Sequence, residues 1–271
     1  MKTYGQFCSI ARALDLLGER WTLLVVREML CGSRRFSELQ RGIPRISRTM
    51  LSARLRELLD AGVIERHDGD QGPEYGLTPA GGELIAVIRE LGTWGQRWLT
   101  RELHRDQLDV RPLLLDIQRR VRRDALPEQP VVVVIELTDV RGAAGRHYLL
   151  LRRSEVSLCG ANPGFPEELH LRTDRRTLIA WWRGDLTFRQ ALAAGLDLQG
   201  RREWVRAFPD WFERYMFAGV RPASTRGGPL PPSRPRQAGE EGYGSRSATA
   251  IWTVGKASGV TVDGEASVAT D

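Results

Sequence analysis

Between residues 34 and 56 the chain places seven arginines, at 34, 35, 41, 45, 48, 54 and 56, against a single acid, Glu38. Guanidinium groups at that density suit phosphate oxygens, and their rigid fork of donors also fits the O6 and N7 acceptors of guanine. Ser47, Thr49, Ser52 and Ala53 lie between them. A helix bearing such small residues is slim enough for a DNA major groove about 12 Å wide. Other reactive side chains are sparse. Cys8, Cys31 and Cys159 have no paired spacing, and His67, His104, His147 and His170 are scattered, which gives no zinc or disulfide framework. No phosphate-cradling glycine loop, nucleophile elbow or triad spacing occurs. The expectation is a binding protein without catalysis, metal or cofactor.

Residues 36–60 must position the arginines. They read as a short helix, a turn at 42–44, and a longer helix opening at Ser47, a good N-cap. At about 100° per residue, Leu51, Leu55, Leu58 and Leu59 share one face. Thr49, Ala53 and Arg56 fall roughly opposite, with Ser52 at their edge. This is the outline of a helix-turn-helix that reads duplex DNA. A solvated amphipathic helix with ordinary surface arginines fits the same pattern. Upstream, residues 9–17 and 21–30 predict two helices that supply core, the first through Ile10, Ala13, Leu14 and Leu17. Downstream, residues 63–67 and 74–78 predict a hairpin with a turn-rich tip, the order of a winged helix. Thr78 and Pro79 then start another helix.

The run CSIARALDLLGERWTLLVVREMLCGSRRFSELQRGIPRISRTMLSARLRELLDAGVIERH, with EYGLTPAG after it, resembles the HxlR-type winged helix-turn-helix regulators of bacteria over about residues 7–100. The resemblance implies a dimeric transcription regulator, most often a repressor, on double-stranded operator DNA. It departs from the family at the wing tip, where Asp68 and Asp70 replace more basic residues, and at Arg48, where relatives often carry Pro. The resemblance also implies that the helical pattern over 83–104, with Leu84, Val87, Ile88, Leu91, Trp94, Trp98 and Leu99, pairs two subunits; packing against the chain's own second domain is the alternative. Some relatives use the cysteine at the position of Cys8 as a redox sensor, and a helix N-terminus there would favour the thiolate.

Thr49, Ser52, Ala53 and Arg56 are expected to face bases. Arg34, Arg35, Arg45, Arg48 and Arg54 would hold phosphates or the helix scaffold, and Ser37, Ser47 and Arg66 complete the candidate DNA contacts. Arg54 lies toward the apolar side, so an internal pair with an acid is open for it.

Residues 111–126 read as a basic helical connector. Beyond them, 131–137, 147–152, 155–159, 169–173 and 196–199 predict strands, and 175–182, 187–194 and 201–215 predict helices. Strands first and helices later argue for an α+β layer with helices on one face of a mainly antiparallel sheet. LIAWWRGD at 178–185, ALAAG at 191–195 and LDLQG at 196–200 resemble the sterol carrier protein-like domain over about 128–216. That resemblance implies a cavity for a hydrophobic effector, with Trp181, Trp182, Leu192, Trp204 and Phe208 as candidate lining; ordinary core packing is the alternative for each.

The expected organisation is an α+β chain: a winged helix with dimerisation helix at 1–104, a connector at 105–127, a ligand-binding domain at 128–220, and a disordered tail at 221–271 rich in Gly, Pro and Ser. Net charge is +6, and all basic residues but Lys2 and Lys256 are arginine. Sparse cysteine, no signal peptide and no membrane-length apolar run suggest a cytoplasmic protein with no membrane contact. Rival readings are a hydrophobic-ligand carrier whose winged helix serves protein contacts, and a repressor gated by Cys8 alone.

Overall fold

The computed structural model describes residues 3–70 and 72–223; most of the predicted tail, 224–271 with Trp252, lies outside the described residues. Helices α1 (Ser9–Leu17), α2 (Thr22–Leu30), α3 (Phe36–Gly42) and α4 (Arg48–Asp60) precede the hairpin β1 (Ile64–Gly69) and β2 (Gly72–Leu77), and α5 (Pro79–Trp98) follows. Local chemistry sets the boundaries. The Ser47 hydroxyl accepts the Met50 N–H at 3.1 Å and starts α4. The Thr78 hydroxyl accepts the Gly81 N–H at 3.3 Å, and Pro79 takes the first turn of α5, where its missing N–H needs no partner.

Leu51, Leu55 and Leu58 of α4 are buried with Val25, Val26 and Met29 of α2 and Leu39 of α3 in one apolar cluster. The hairpin pairs antiparallel with Ile64 opposite Leu77. The Tyr75 N–H donates to the Arg34 carbonyl oxygen at 2.7 Å, which ties the wing to the start of α3. The first helix departs from its sequence reading. Only Ala11 of α1 is buried, while Ile10 and Leu14 are exposed, because no described element covers that side.

The second half comprises α6 (Val110–Arg119), β3 (Val131–Leu137), β4 (Arg146–Leu151), β5 (Val156–Cys159), β6 (Glu167–Thr173), α7 (Arg175–Trp182), α8 (Phe188–Ala193), β7 (Asp197–Gly200) and α9 (Arg202–Ala207). Strand order is β5-β4-β3-β6-β7, with β3 and β6 parallel and the other neighbours antiparallel. Alternation divides β3 between two faces. Val131, Val133 and Ile135 join the helix-covered core, and Val132 and Val134 pack with Leu150, Tyr148 and Phe165 on the opposite face.

Two sequence readings change here. The segment read as a connector contributes Val110, Leu114 and Ile117 of α6 to the main core. The helix read over 201–215 stops at Ala207, and a tighter turn over Phe208–Trp211 replaces it. Pro209 has no N–H, and its ring obstructs the preceding helical turn.

The two halves meet in several places. Arg119 of α6 donates to Glu28 of α2 at 2.8 Å and to the Ser33 hydroxyl at 2.7 Å. Arg101 pairs with Asp185 at 2.7 Å. The Phe217 ring lies so close to Gly92 that a Cβ there would stand 2.1 Å from it, so only glycine fits without displacing the ring.

Candidate nucleic-acid interface

The base-reading candidates divide by burial as rotation along α4 predicts. Thr49, Ser52 and Arg56 are exposed and Ala53 is half-buried, while Leu51, Leu55 and Leu58 face inward. Arg56 makes no hydrogen bond or ion pair among the described residues, so its guanidinium is available to an acceptor from outside.

The phosphate candidates divide less evenly. Arg34, Ser37, Ser47 and Arg48 are exposed near the start of α3 and α4. The Arg48 guanidinium stacks 5.3 Å from the centroid of Phe36, which orients it without consuming its N–H donors. Arg45 is exposed but donates to the Asp106 carbonyl oxygen at 3.3 Å. Arg35 serves the scaffold: its Nε and Nη2 reach Glu74 Oε1 at 3.0 and 2.8 Å and fix β2 against α3. Arg54 is turned inward at 8% exposure, bonded to Glu57 at 2.5 Å with Glu19 at 3.7 Å. The internal-pair reading therefore describes Arg54, and a DNA contact does not. In the wing, Arg66 is exposed and only loosely paired with Asp68 at 3.7 Å, beside the acidic tip.

Glu38 anchors the cluster. Its carboxylate accepts the backbone N–H groups of Arg34 and Arg35 at 2.7 and 3.1 Å. Burial pushes this carboxyl up, but the two N–H donors and the charges of Arg35 and Arg41 outweigh it and hold it below the usual range. Cys8 occupies the N-cap of α1 and is exposed. The backbone N–H groups of Ala11 and then Ile10 lower its thiol pKa.

In the second half, Trp181, Trp182, Trp204 and Phe208 are buried in the main core, and Leu192 is exposed at 44%. Trp181 touches Phe188, Phe208 and Phe212 at centroid distances of 5.4, 6.0 and 6.4 Å. Trp182 donates its indole N–H to Asp116 at 2.7 Å. These side chains fill the space between sheet and helices. Sequence reading gave no role to Glu28, which is buried at 4% and paired with Arg27 and Arg119. An acid inside an apolar helix was the one available signal, since its partner Arg119 lies 91 positions away.

Residues 16–103 match the HxlR-like helix-turn-helix family. The uncharacterized HTH-type transcriptional regulator YvaP of Bacillus subtilis is 38% identical over 91 residues, covering 32% of this chain and 84% of that protein. The chain belongs to the HxlR-like helix-turn-helix family. An uncharacterized HTH-type transcriptional regulator of Mycobacterium tuberculosis is 47% identical to this HxlR-like chain over 96 residues, and the match spans 60% of that relative's length. Among solved structures, the reduced form of the transcriptional regulator YodB from B. subtilis is 35% identical, with 34% of this chain and 93% of that one covered and a TM-score of 0.31. The matched residues of the HxlR-like chain run from α1 to just beyond α5 and include every candidate DNA contact named above.

Proposed function

We propose that this chain is a sequence-specific, non-enzymatic transcription regulator that binds operator DNA as a homodimer. The observation that carries the reading is the outward face of α4. Thr49, Ser52 and Arg56 are exposed beside a winged scaffold whose remaining contacts are internal. Exposed arginines at both helix starts supply the sequence-independent grip on phosphate, and the face of α4 supplies base contacts.

Dimerisation is supported by apolar surface left open on two helices. Phe7 ahead of α1, Ile10 and Leu14 on it, and Val87, Leu91 and Trp94 on α5 are all exposed. Val87, Leu91 and Trp94 recur at helical spacing along one side of α5, whereas Leu84 and Ile88 pack inward. A two-fold pair would set two α4 helices in successive major grooves about 34 Å apart. A hydrophobic effector held by residues 128–220 is carried by the sequence resemblance of that region.

Mobility shift of purified protein on genomic fragments, across a salt series, tests the regulator. An enriched inverted repeat with affinity falling steeply as salt rises is expected. Weak binding at every salt with no enriched fragment would return the winged helix to protein contacts.

A further inference from the structure

A cavity of about 460 Å³ opens between α3 and α6, within the ~300–1,000 Å³ of small-molecule sites. One wall is the DNA-binding half, through Ser37, Gln40 and Arg41 of α3. The other is the C-terminal half, through Leu114 and Leu115 of α6 with Leu158 of β5 and His147 of β4. Arg41 and Leu115 also line a neighbouring cavity of about 520 Å³ that reaches Arg119 and Arg123.

The first cavity has a definite chemistry. Its floor is leucine, and no carboxylate lines it. Arg111 at its rim is already neutralised by Asp109 at 2.6 Å. Arg41 is exposed and makes no hydrogen bond or ion pair among the described residues. Glu38 lies within the field of Arg41 on the side of the neighbouring cavity but bonds only backbone N–H groups, so the Arg41 N–H donors stay open above an apolar floor and suit an anion with an apolar body.

His147 adds direction. Burial lowers its pKa, so the ring is neutral near pH 7. Its Nε2 is buried with no hydrogen-bond partner among the described residues. A neutral imidazole nitrogen is either an N–H donor or a lone-pair acceptor, and a ligand hydroxyl can meet either one. A buried polar nitrogen left without a partner is destabilising, and a ligand hydroxyl would supply the missing partner.

We infer that the α3–α6 cleft binds a small carboxylic acid with an apolar body, its carboxylate on Arg41, its body on Leu114, Leu115 and Leu158, and a hydroxyl, where present, on His147 Nε2. This site is separate from the aromatic core of Trp181 and Phe208. On the regulator reading an acid held here acts as an effector, because α3 shares one apolar cluster with α4 of the helix-turn-helix. A ligand that fits the cleft in one setting of α3 must change operator affinity by the factor that DNA changes its own.

The test is calorimetric titration of the full chain, without DNA, with 4-hydroxybenzoate, 3-phenylpropionate and octanoate. Methyl 4-hydroxybenzoate and inorganic phosphate serve as controls. At least one acid should saturate with Kd below ~1 mM, and the ester and phosphate should bind at least about tenfold more weakly. Arg41→Gln should weaken the acids about tenfold with little change in melting temperature, since Arg41 gives up no hydrogen bond and only a surface attraction to Glu38. His147→Phe should weaken 4-hydroxybenzoate more than 3-phenylpropionate, and Trp181→Phe should change neither. Three results overturn the site: no saturable heat with any acid, equal binding of acid and ester, or indifference to Arg41→Gln. The effector role is read afterwards. An operator affinity unmoved by a saturating acid overturns that role alone, and a chain that binds no operator sinks the regulator while leaving the measured acid site standing.

Discussion

Two positions apart on α4, Arg54 turns inward to Glu57 while Arg56 stays exposed. Their alanine variants should therefore separate stability from recognition. Arg54→Ala removes a buried cation and strips Glu57 and Glu19 of their partner, a loss of roughly 1–3 kcal/mol readable as a lowered urea midpoint. Arg56→Ala should leave that midpoint within about 0.5 kcal/mol and reduce the ratio of specific to nonspecific binding about tenfold. Equal loss on operator and mixed-sequence DNA would reassign Arg56 to a phosphate. Cysteine reactivity offers a second residue-scale contrast. Both thiols are exposed, but backbone N–H groups hold the Cys8 thiol low, whereas desolvation by the surrounding protein and then the Glu28 charge push Cys31 up. Because the thiolate is the nucleophile, iodoacetamide at pH 7 should label Cys8 well before Cys31. Peptide mass spectrometry reporting the opposite order would remove Cys8 as a redox candidate. Ser47 was legible from sequence because a cap depends on its own few neighbours, whereas Cys8 was singled out by the family resemblance. Arg54 stayed ambiguous because it lies at the flank between the two faces of α4, and rotation alone does not decide a flank.

At the scale of elements, α3 rests on the carboxylate of Glu38, which bonds two backbone N–H groups ahead of the helix. A carboxyl held below its ordinary value contributes stability above its unfolded pKa, about 4.3, and loses it as pH falls through the lower folded value. Urea midpoints should therefore drop below about pH 4, and Glu38→Gln should flatten that part of the profile. A profile unchanged by the substitution would show that the acid sensitivity lies elsewhere. Helix α5 carries two separate apolar sides, one packed on the winged-helix core and one exposed at Val87, Leu91 and Trp94. For the proposed homodimer paired through this side, Leu91→Arg should shift the sedimentation coefficient to that of a monomer and weaken operator binding, with the fold retained because Leu91 is 53% exposed. An unaltered dimer would move the interface off α5. The helical period of α5 was plain in the sequence, but the owner of each apolar side was not, since periodicity says what is apolar and not what covers it. The same gap explains α1, whose Ile10 and Leu14 read as core and emerged on the surface. The shortened α9 has a simpler cause, for Pro209 was visible and its effect outweighed the aromatic spacing around it.

At the scale of the whole molecule, one of the links between the winged helix and the C-terminal layer is built on a buried carboxylate. Glu28 sits in α2 and accepts from Arg27 at 2.7 Å and from Arg119 of α6 at 2.8 Å, while the backbone of Gly42 closes over it so tightly that a Cβ there would stand 1.9 Å from its carboxylate oxygen. No periodicity or motif could announce a pair this far apart in sequence; the tertiary fold creates it. Breaking such a pair from one side is costlier than its net contribution, because the remaining charge stays buried. Glu28→Gln and Arg119→Ala should each lower stability by roughly 2–4 kcal/mol, and the double variant should cost less than their sum by about 1–3 kcal/mol. Urea unfolding of the four proteins measures that coupling. If the two losses simply add, Arg119 acts through Ser33 and packing, and the halves are held together by Phe217 on Gly92 and by Arg101 on Asp185. If they do not add, the pair that joins the halves also borders the cavity reaching Arg119. A change felt at α6 then has a direct ionic route to the helix-turn-helix, as a regulator with an effector in its second half requires.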